Sequence, residues 1–436
     1  VANVKITSVD GSMYNINFPD TVDQTNIDPK DLFTEETVKD PVSKLLCKHI
    51  QMCSRKADVL ILWTDMSPEG ENICFDIIDN VKPKLPTPIE DYIFRAKYKS
   101  LSSNEIIRSF GNLRHKPNEY ESLYVDALNT IDLKIQSAFT SYQTSKLFEK
   151  YPVLEKMCKV MVYDPFQTAA LGLWVERAAR VENFVPETYY TINILLKQNN
   201  LGFKTYELKW KRDKMFDKNS IFAVFEEIKK EKKAVVVDVR TNEEKVPKPL
   251  PLNTNKLLKV AATRFGMSSF ETMKVIESLY LSGYISYYKT ESTYYGKNFD
   301  YKEILQIHQL HSEWGKYTLN LLEKGYWEPE GGEEIDDQLP IIPIKTAEKG
   351  KMNVNDWKIY QFITKHFLAS ISPSPIVKTV DVYFKIGEEL FTMNSQKIAE
   401  KGFFEIAPWL NTIKEDTLPK LKIMEEYSID TKKIID

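Results

Sequence analysis

The residues best able to do chemistry lie in one short loop, TDMSPEGEN, which brings the carboxylates of Asp65, Glu69 and Glu71 close together in the chain. The apolar run ADVLILW, strand-like over 58–63, leads into the loop, and a helical pattern from Asn72 to about Val81 leaves it. Strand, acidic loop and helix make one βα unit, and parallel α/β sheets bind ligands at the carboxyl ends of their strands. The three carboxylates therefore mark a candidate site, although a solvated acidic turn has the same composition. His308 and His311 share a helical face at i, i+3, but no carboxylate or cysteine stands at diagnostic spacing, so no metal is expected there. Cys47, Cys53, Cys74 and Cys158 have neither CxxC spacing nor the density of a disulfide scaffold. They are expected to be reduced and mostly packed in an intracellular protein, without structural zinc. Trp63, Trp174 and Trp357 sit in apolar runs and are expected in the core rather than as base-stacking platforms.

The elements that must hold these residues follow from periodicity and punctuation. After the proline-rich NVKPKLPTP, Tyr92–Tyr98 reads as a strand and Ser103–Leu113 as a helix with serine and asparagine at its start. A long helical stretch runs from about Asn118 to Tyr151. Pro165 opens another helix, with proline at N1 and apolar spacing at Leu171, Trp174 and Val175. The chain then turns β-rich: YYTINILLKQNNLGFKTYELKWKR is two alternating runs around an Asn-Asn-Leu-Gly turn, and KAVVVDVRTNEEKV adds a strand. VPKPLPLN reads as a linker, which puts a domain boundary near 250.

Beyond it come helices over Lys256–Phe265 and Phe270–Leu281, the second capped by Ser268 or Ser269 and closed by Gly283, and then YISYYKTES as a strand. This is a helix-turn-helix with a following strand, as in winged-helix modules, although the pattern also occurs in domains that never meet DNA. NVNDWKIYQFITKHFLAS is a helix, and VKTVDVYFKIG, ELFTMNSQKIAEKG and FFEIAPW return to strands that are expected to rejoin the β region of 185–249. The N-terminal VANVKITSVDG alternates like a strand and has no signal or transit pattern.

A chain of 436 residues suggests two to four domains, and its 42% hydrophobic and 28% charged content is that of a globular protein. No apolar run approaches the roughly 20 residues that cross a bilayer, so membrane insertion is not expected. The formal charge of -3 and isoelectric point near 6.1 confine any phosphate-binding surface to a local basic patch.

In their order along nearly the whole chain, these segments resemble the type IA DNA topoisomerases of the topoisomerase III kind. LILWTDMSPEGENICFDII resembles the family's Toprim metal loop, where D-x-D-x-E is followed by Gly-Glu-Asn. VDALNTIDLKIQSAFTSYQT and VYDPFQTAALGLWVER resemble the helices of its gate base. SGYISYYKTEST resembles its nucleophile segment, typically Ser-Tyr-Pro-Arg-Thr-Glu, and DDQLPIIPIK its downstream His-Pro-Pro-Ile segment. The resemblance implies a multidomain α/β and α+β fold, a toroidal core. Its parts would be a Toprim-like α/β domain over 1–90 without its first strand, a helical gate base over 91–183, and a β-rich arch over 184–250. A winged-helix-like domain carrying the nucleophile would follow over 251–373, and the chain would return to the arch over 374–436. The first Toprim strand, with its glutamate and lysine, and the final base segment find no match in the sequence.

The resemblance also implies roles. A tyrosine hydroxyl can cut a phosphodiester reversibly, conserving the bond energy as a phosphotyrosine that a free DNA end later attacks, so no ATP is required. A tyrosine with a pKa of about 10 needs a setting that accepts developing negative charge. Tyr287 stands at the nucleophile position, and Lys289, two residues on and on the same face of a strand, replaces the family's arginine. Asp65, Glu69 and Glu71 would hold Mg²⁺, with Glu69 also catalytic. Arg95, Lys97, Lys134, Gln167, Arg177 and Gln338, with Lys211, would contact the nucleic-acid strand, although each also reads as an ordinary surface group.

Several positions depart from the family pattern. Ser67 replaces the second loop aspartate and Pro68 the arginine beside it, and Tyr288 replaces the proline. Leu128 and Lys134 replace arginines, Asp164 a glycine and Gln338 the histidine. Two functions are therefore expected to compete. One is an active enzyme that nicks through Tyr287, passes a strand and religates. The other is an impaired relative that binds single-stranded DNA or RNA, or builds a larger complex with protein partners. Either would act inside the cell, in the nucleus or another DNA-containing compartment.

Overall fold

The computed structural model describes residues 3–22, 27–55, 57–84, 89–196, 206–297, 299–335, 338–416, 418 and 421–435. They fall into two compact units, Val1–Phe184 and Val185–Asp436.

In the first unit the strands are β1 (Tyr14–Asn17), β2 (Val38–Pro41), β3 (Leu60–Leu62), β4 (Ile93–Arg95) and β5 (Arg114–His115). The helices are α1 (Lys44–Ser54), α2 (Pro68–Val81), α3 (Ser103–Gly111), α4 (Glu119–Lys150), α5 (Pro152–Met157) and α6 (Pro165–Glu182). Strands β3 and β4 are parallel with Ile61 opposite Phe94, β5 closes the sheet antiparallel to β4, and β1 pairs with β2. Helix α2 is the crossover between β3 and β4, and its Cys74, Ile78 and Val81 pack with Leu62 and Ile93 of the sheet and with Met13 and Ile50.

Three expectations change in this unit. Helix α2 begins at Pro68 rather than Asn72, because the Ser67 hydroxyl accepts the Gly70 amide at 3.1 Å and proline suits the first turn. The described part of VANVKITSVDG is no strand. Val4 and Ile6 are exposed, and the segment pairs with no strand among the described residues. Trp174 is 76% exposed, because α6 buries none of its residues. Trp63 is 36% exposed and lies parallel to Phe110, whereas Trp357 is buried as expected.

The second unit opens on a closed antiparallel barrel of β6 (Thr191–Leu196), β7 (Tyr206–Trp210), β8 (Lys233–Lys245), β9 (Ile376–Ile386), β10 (Glu389–Glu400) and β11 (Glu426–Ile435). The order around it is β10-β7-β6-β11-β8-β9, so the β region after 375 does rejoin the earlier one. Alternate residues Ile192, Ile194, Leu196, Val382, Phe384 and Ile386 fill its interior. The Asn-Asn-Leu-Gly turn lies outside the described residues. Helix α7 (Lys218–Lys230) covers the core with Ile221 and Ile228, and Lys432 donates to carbonyls at its C-terminal end, Ile228 at 2.7 Å and Lys229 at 3.0 Å.

The remaining helices are α8 (Thr254–Val260), α9 (Ser269–Leu281), α10 (Tyr301–His308), α11 (Gly315–Lys324) and α12 (Val354–Ser370). Helix α8 continues as a π-helical turn, Ala261–Phe265, so this stretch is helical as read but wound differently in its second half. Ser268 and Glu271 form a reciprocal capping box on α9, and Gly283 takes the left-handed φ of +71° just past its end.

Two stretches read as strands are not. YISYYKTES makes only an isolated bridge, Ile285 to Pro343, because its partner segment carries Pro340 and Pro343, which lack the donors of a ladder. FFEIAPW instead forms two 3₁₀ turns, Gly402–Glu405 and Pro408–Leu410.

Candidate cleavage site and metal loop

The acidic loop is held shut from beneath. A Cβ on Gly70 would lie 2.1 Å from the carbonyl oxygen of Asp65, so only glycine lets the first turn of α2 approach this closely. Arg95, fully buried on β4, donates through Nη1 to the carbonyls of Thr64 (2.8 Å) and Ala96 (2.6 Å) and through Nη2 to that of Asp65 (2.8 Å). Its Nε donates to Glu71 Oε1 at 3.0 Å, and Glu71 Oε2 accepts the Asn118 amide at 2.7 Å.

Glu71 is 1% exposed and Arg95 0%. The two groups read as a metal ligand and a strand contact are thus spent on each other, a buried ion pair that fastens β4 and α4 to the loop. Lys97 stands 3.7 Å from Glu71 Oε1 with 22% of its side chain exposed.

That leaves Asp65 and Glu69 in the loop. Asp65 is half-buried and its Oδ1 accepts the Tyr98 hydroxyl at 3.3 Å, while Glu69 is exposed in the first turn of α2. Ser67 is buried and its hydroxyl serves the helix cap. Among the described residues no group of three or more His, Cys, Asp or Glu side chains is arranged to hold a metal ion. Two carboxylates still fit hydrated Mg²⁺, which keeps several waters and is commonly held by one or two carboxylates together with phosphate oxygens.

On the helices of the first unit, Lys134 donates to the Phe33 carbonyl at 3.1 Å. Asp164, at the position of the family's glycine, accepts the Gln167 amide at 2.7 Å as the N-cap of α6, a local reason for that substitution. Gln167 and Arg177 are exposed on α6.

Around Tyr287 the chain is extended and alternates cleanly even without a ladder. Ser286, Tyr288, Thr290 and Ser292 point inward and are buried, whereas Tyr287 is half-buried and Lys289 and Glu291 are exposed. Tyr287 and Lys289 therefore share the outward face, as expected for a strand. The Ser286 amide donates to the Ile342 carbonyl at 3.0 Å, and its hydroxyl donates to the Pro340 carbonyl at 2.9 Å, which ties the segment to the described part of DDQLPIIPIK. Thr254, opening α8, accepts the Thr290 amide on its hydroxyl at 2.9 Å. Of the two adjacent tyrosines, Tyr288 is 5% exposed with its hydroxyl on Glu277 at 3.1 Å, and Tyr287 is the more exposed of the pair. Glu277 and Tyr280, at i, i+3 on α9, were not singled out from the sequence, although helical spacing toward the tyrosine pair was a signal that could have found them.

Gln338 is half-buried and its backbone N–H donates to the Ile335 carbonyl at 2.9 Å; Asp336 and Asp337 of the same motif lie outside the described residues. Lys211 lies over the Tyr383 ring at 5.3 Å on the barrel. His308 and His311 bond to the carbonyls of Pro343 (3.3 Å) and Ala347 (2.9 Å) through Nε2, and His311 stacks on the buried Trp314. They are core residues. None of the four cysteines is in a disulfide, and burial pushes the Cys74 thiol up to about 11.

A parallel βα loop of carboxylates, a helix-turn-helix leading into a tyrosine segment, and a β-barrel define the type IA class, and the comparisons bear this out. Residues 120–435 match the family described as DNA topoisomerase and residues 2–101 match the Toprim domain, so the chain belongs to the type IA DNA topoisomerases. Within them it is topoisomerase III-like. DNA topoisomerase 3-beta of Arabidopsis thaliana is 34% identical over 422 residues, 96% of this chain and 48% of that protein. DNA topoisomerase 3-beta-1 of Homo sapiens is 33% identical over 438 residues, 99% of this chain and 50% of that one. The chain thus spans about half the length of these curated relatives. Full-length topoisomerase I from Thermotoga maritima shares the fold, with a TM-score of 0.69 at 19% identity over 97% of this chain and 66% of that one. No helix among the described residues is long and apolar enough to cross a membrane.

Proposed function

We propose that this chain is the core of an enzyme that cleaves and religates a single strand of DNA through Tyr287. The observation that carries the reading is the division of labour between the two tyrosines: Tyr288 is buried and hydrogen-bonded, while Tyr287 lies on the outward face with Lys289. The Tyr287 hydroxyl attacks a backbone phosphorus and the ester bond to one sugar oxygen breaks. That oxygen leaves as a hydroxyl on one end, and the other end stays on the tyrosine as a phosphodiester. Attack by the freed hydroxyl reverses the step after a strand has passed.

Lys289 offsets the negative charge that develops on phenol and phosphate, though without the bidentate grip of an arginine. Asp65 and Glu69 would hold Mg²⁺, whose charge would help orient the phosphate and stabilise its added negative charge. Lys97, Lys134, Gln167, Arg177, Lys211 and Gln338 are the candidate strand contacts. RNA is a second candidate substrate, a protein partner in a larger complex is part of the proposal, and the site of action is a DNA-containing compartment such as the nucleus.

A second reading is favoured by the metal loop: with Ser67 committed to a helix cap and Glu71 to Arg95, the chain would be an impaired relative that binds nucleic acid or serves as a structural subunit. End-labelled single-stranded DNA incubated with Mg²⁺ and then denatured separates the two. A covalent adduct formed by the natural sequence and absent from Tyr287→Phe supports the enzyme; no adduct from a chain that also carries the glutamate-bearing first Toprim strand rules it out.

A further inference from the structure

Tyr288 occupies the position where the resembled family has proline, whose ring restricts the backbone beside the nucleophile. In this chain side chains surround the same point. The Tyr288 hydroxyl donates to Glu277 Oε1 at 3.1 Å, and its ring lies 5.6 Å from the Tyr287 ring and 5.9 Å from the Tyr280 ring, centroid to centroid. Tyr280, 4% exposed, meets Tyr287 edge-on at 5.4 Å with 73° between the planes. Tyr287 therefore rests against two aromatic walls. One is fixed by burial in α9, and the other is fastened by its far end to a carboxylate on α9.

We propose that Glu277 is a positioning residue for Tyr287. Through the Tyr288 hydroxyl it holds the Tyr288 ring against Tyr287 and so sets the direction from which the Tyr287 phenol meets a phosphate. The inference rests on Tyr287 being the nucleophile. A hydrogen bond to an ionised carboxylate is among the stronger ones, and the atoms it fixes are one residue from the reacting group. Glu277 is exposed, and an uncommitted carboxylate would only repel a polyanion there. A fixed orientation matters because small misplacements of a reacting group cost large factors in rate.

The test uses the full chain and three substitutions: Tyr288→Phe, which removes only the hydroxyl, Glu277→Leu, which removes the acceptor, and Glu277→Gln, which keeps one. Single-turnover formation of the adduct on end-labelled single-stranded DNA with Mg²⁺ is followed beside DNA affinity. The Tyr287 signal, identified by its loss in Tyr287→Phe, is followed by NMR of carbon-13-labelled tyrosine rings. Tyr288→Phe and Glu277→Leu are expected to slow adduct formation roughly 10-fold or more at unchanged DNA affinity, with the double variant no slower than either. Both should move or broaden the Tyr287 signal, and Glu277→Gln should restore rate and signal. A Tyr287 signal that Glu277→Leu leaves unmoved, or a change in affinity in place of rate, overturns the proposal. Should a chain that also carries the glutamate-bearing first Toprim strand form no adduct, the enzyme reading fails by itself, and the NMR signal still decides whether Glu277 positions Tyr287.

Discussion

Arg95 and Glu71 form a buried ion pair, Nε to Oε1 at 3.0 Å, with the remaining oxygen of Glu71 on the Asn118 amide and the guanidinium also bonded to three carbonyls. The pair joins the end of β4, the acidic loop and the start of α4. Its partners are charged and desolvated, so its importance lies in what each would suffer if left without the other.

Arg95→Met should therefore destabilise the fold by about 3 kcal/mol, because it leaves the buried Glu71 carboxylate with only the longer, partly exposed contact to Lys97 at 3.7 Å. Glu71→Gln strands the guanidinium and should cost a comparable amount. The double variant should lose less than the sum of the two, since neither charge then remains buried unpaired. Urea unfolding followed by circular dichroism checks this. Additive losses would mean that the pair is not coupled as the geometry requires.

Gly70→Ala is expected to act on the loop more than its size suggests. The added methyl would lie 2.1 Å from the Asp65 carbonyl oxygen, a backbone atom that cannot swing aside as a flexible side chain can. The loop must move, at a cost of roughly 1–3 kcal/mol, and Asp65 moves with it. The thermal midpoint should fall, and adduct formation should require more Mg²⁺. An unchanged midpoint would show that α2 and the loop can separate freely.

Acid should weaken the second unit through its three buried histidines, His308, His311 and His366, each of which burial pushes down. Burial pushes His308 and His366 down from about 6.5 to about 4, against the opposing effect of the Pro343 and Leu250 carbonyls to which their Nε2 atoms donate. The unfolded chain binds these protons at higher pH than the folded one, so their contribution is complete above about pH 6.5 and is lost as pH falls through 4. His308 and His366 are each worth on the order of 3 kcal/mol across that window. Urea midpoints at pH 7, 5.5 and 4.5 should decline accordingly. In His366→Leu the pH slope should shrink by one proton, while stability at pH 7 also falls because the Leu250 carbonyl loses its partner.

Much of the helical framework was legible in the residues themselves. The helix read over Asn118 to Tyr151 forms as Glu119–Lys150, and the Ser268 cap and Gly283 stop of α9 sit where their chemistry put them, because caps and helical periodicity act over a few residues. The start of α2 turned on a local cap, Ser67 on the Gly70 amide, whereas the failures at YISYYKTES and in the acidic loop depend on partners far along the chain. YISYYKTES has the alternation of a strand and keeps it, but whether a ladder forms is decided by Pro340 and Pro343, more than fifty residues away. In the acidic loop the residue types pointed to the place but not to the division of labour. Glu71 is withdrawn by Arg95, 24 positions on, and no local pattern reveals that.

Ser67 offers the most direct test of whether the loop is weakened or lost. Its hydroxyl accepts the Gly70 amide at 3.1 Å, and aspartate caps helices as well as serine does, so Ser67→Asp can keep this bond through one oxygen. The second oxygen adds a charged donor beside Asp65 and Glu69, the kind of ligand a hard cation prefers. Half-saturating Mg²⁺ for adduct formation should fall roughly 3- to 10-fold, with stability little changed at saturating metal. A Mg²⁺ titration of the end-labelled strand assay measures the first and thermal unfolding the second. If Ser67→Asp leaves Mg²⁺ dependence untouched while Asp65→Asn abolishes it, the cap holds the new carboxylate away from the metal. If neither changes adduct formation, the loop does not bind the metal that the reaction uses.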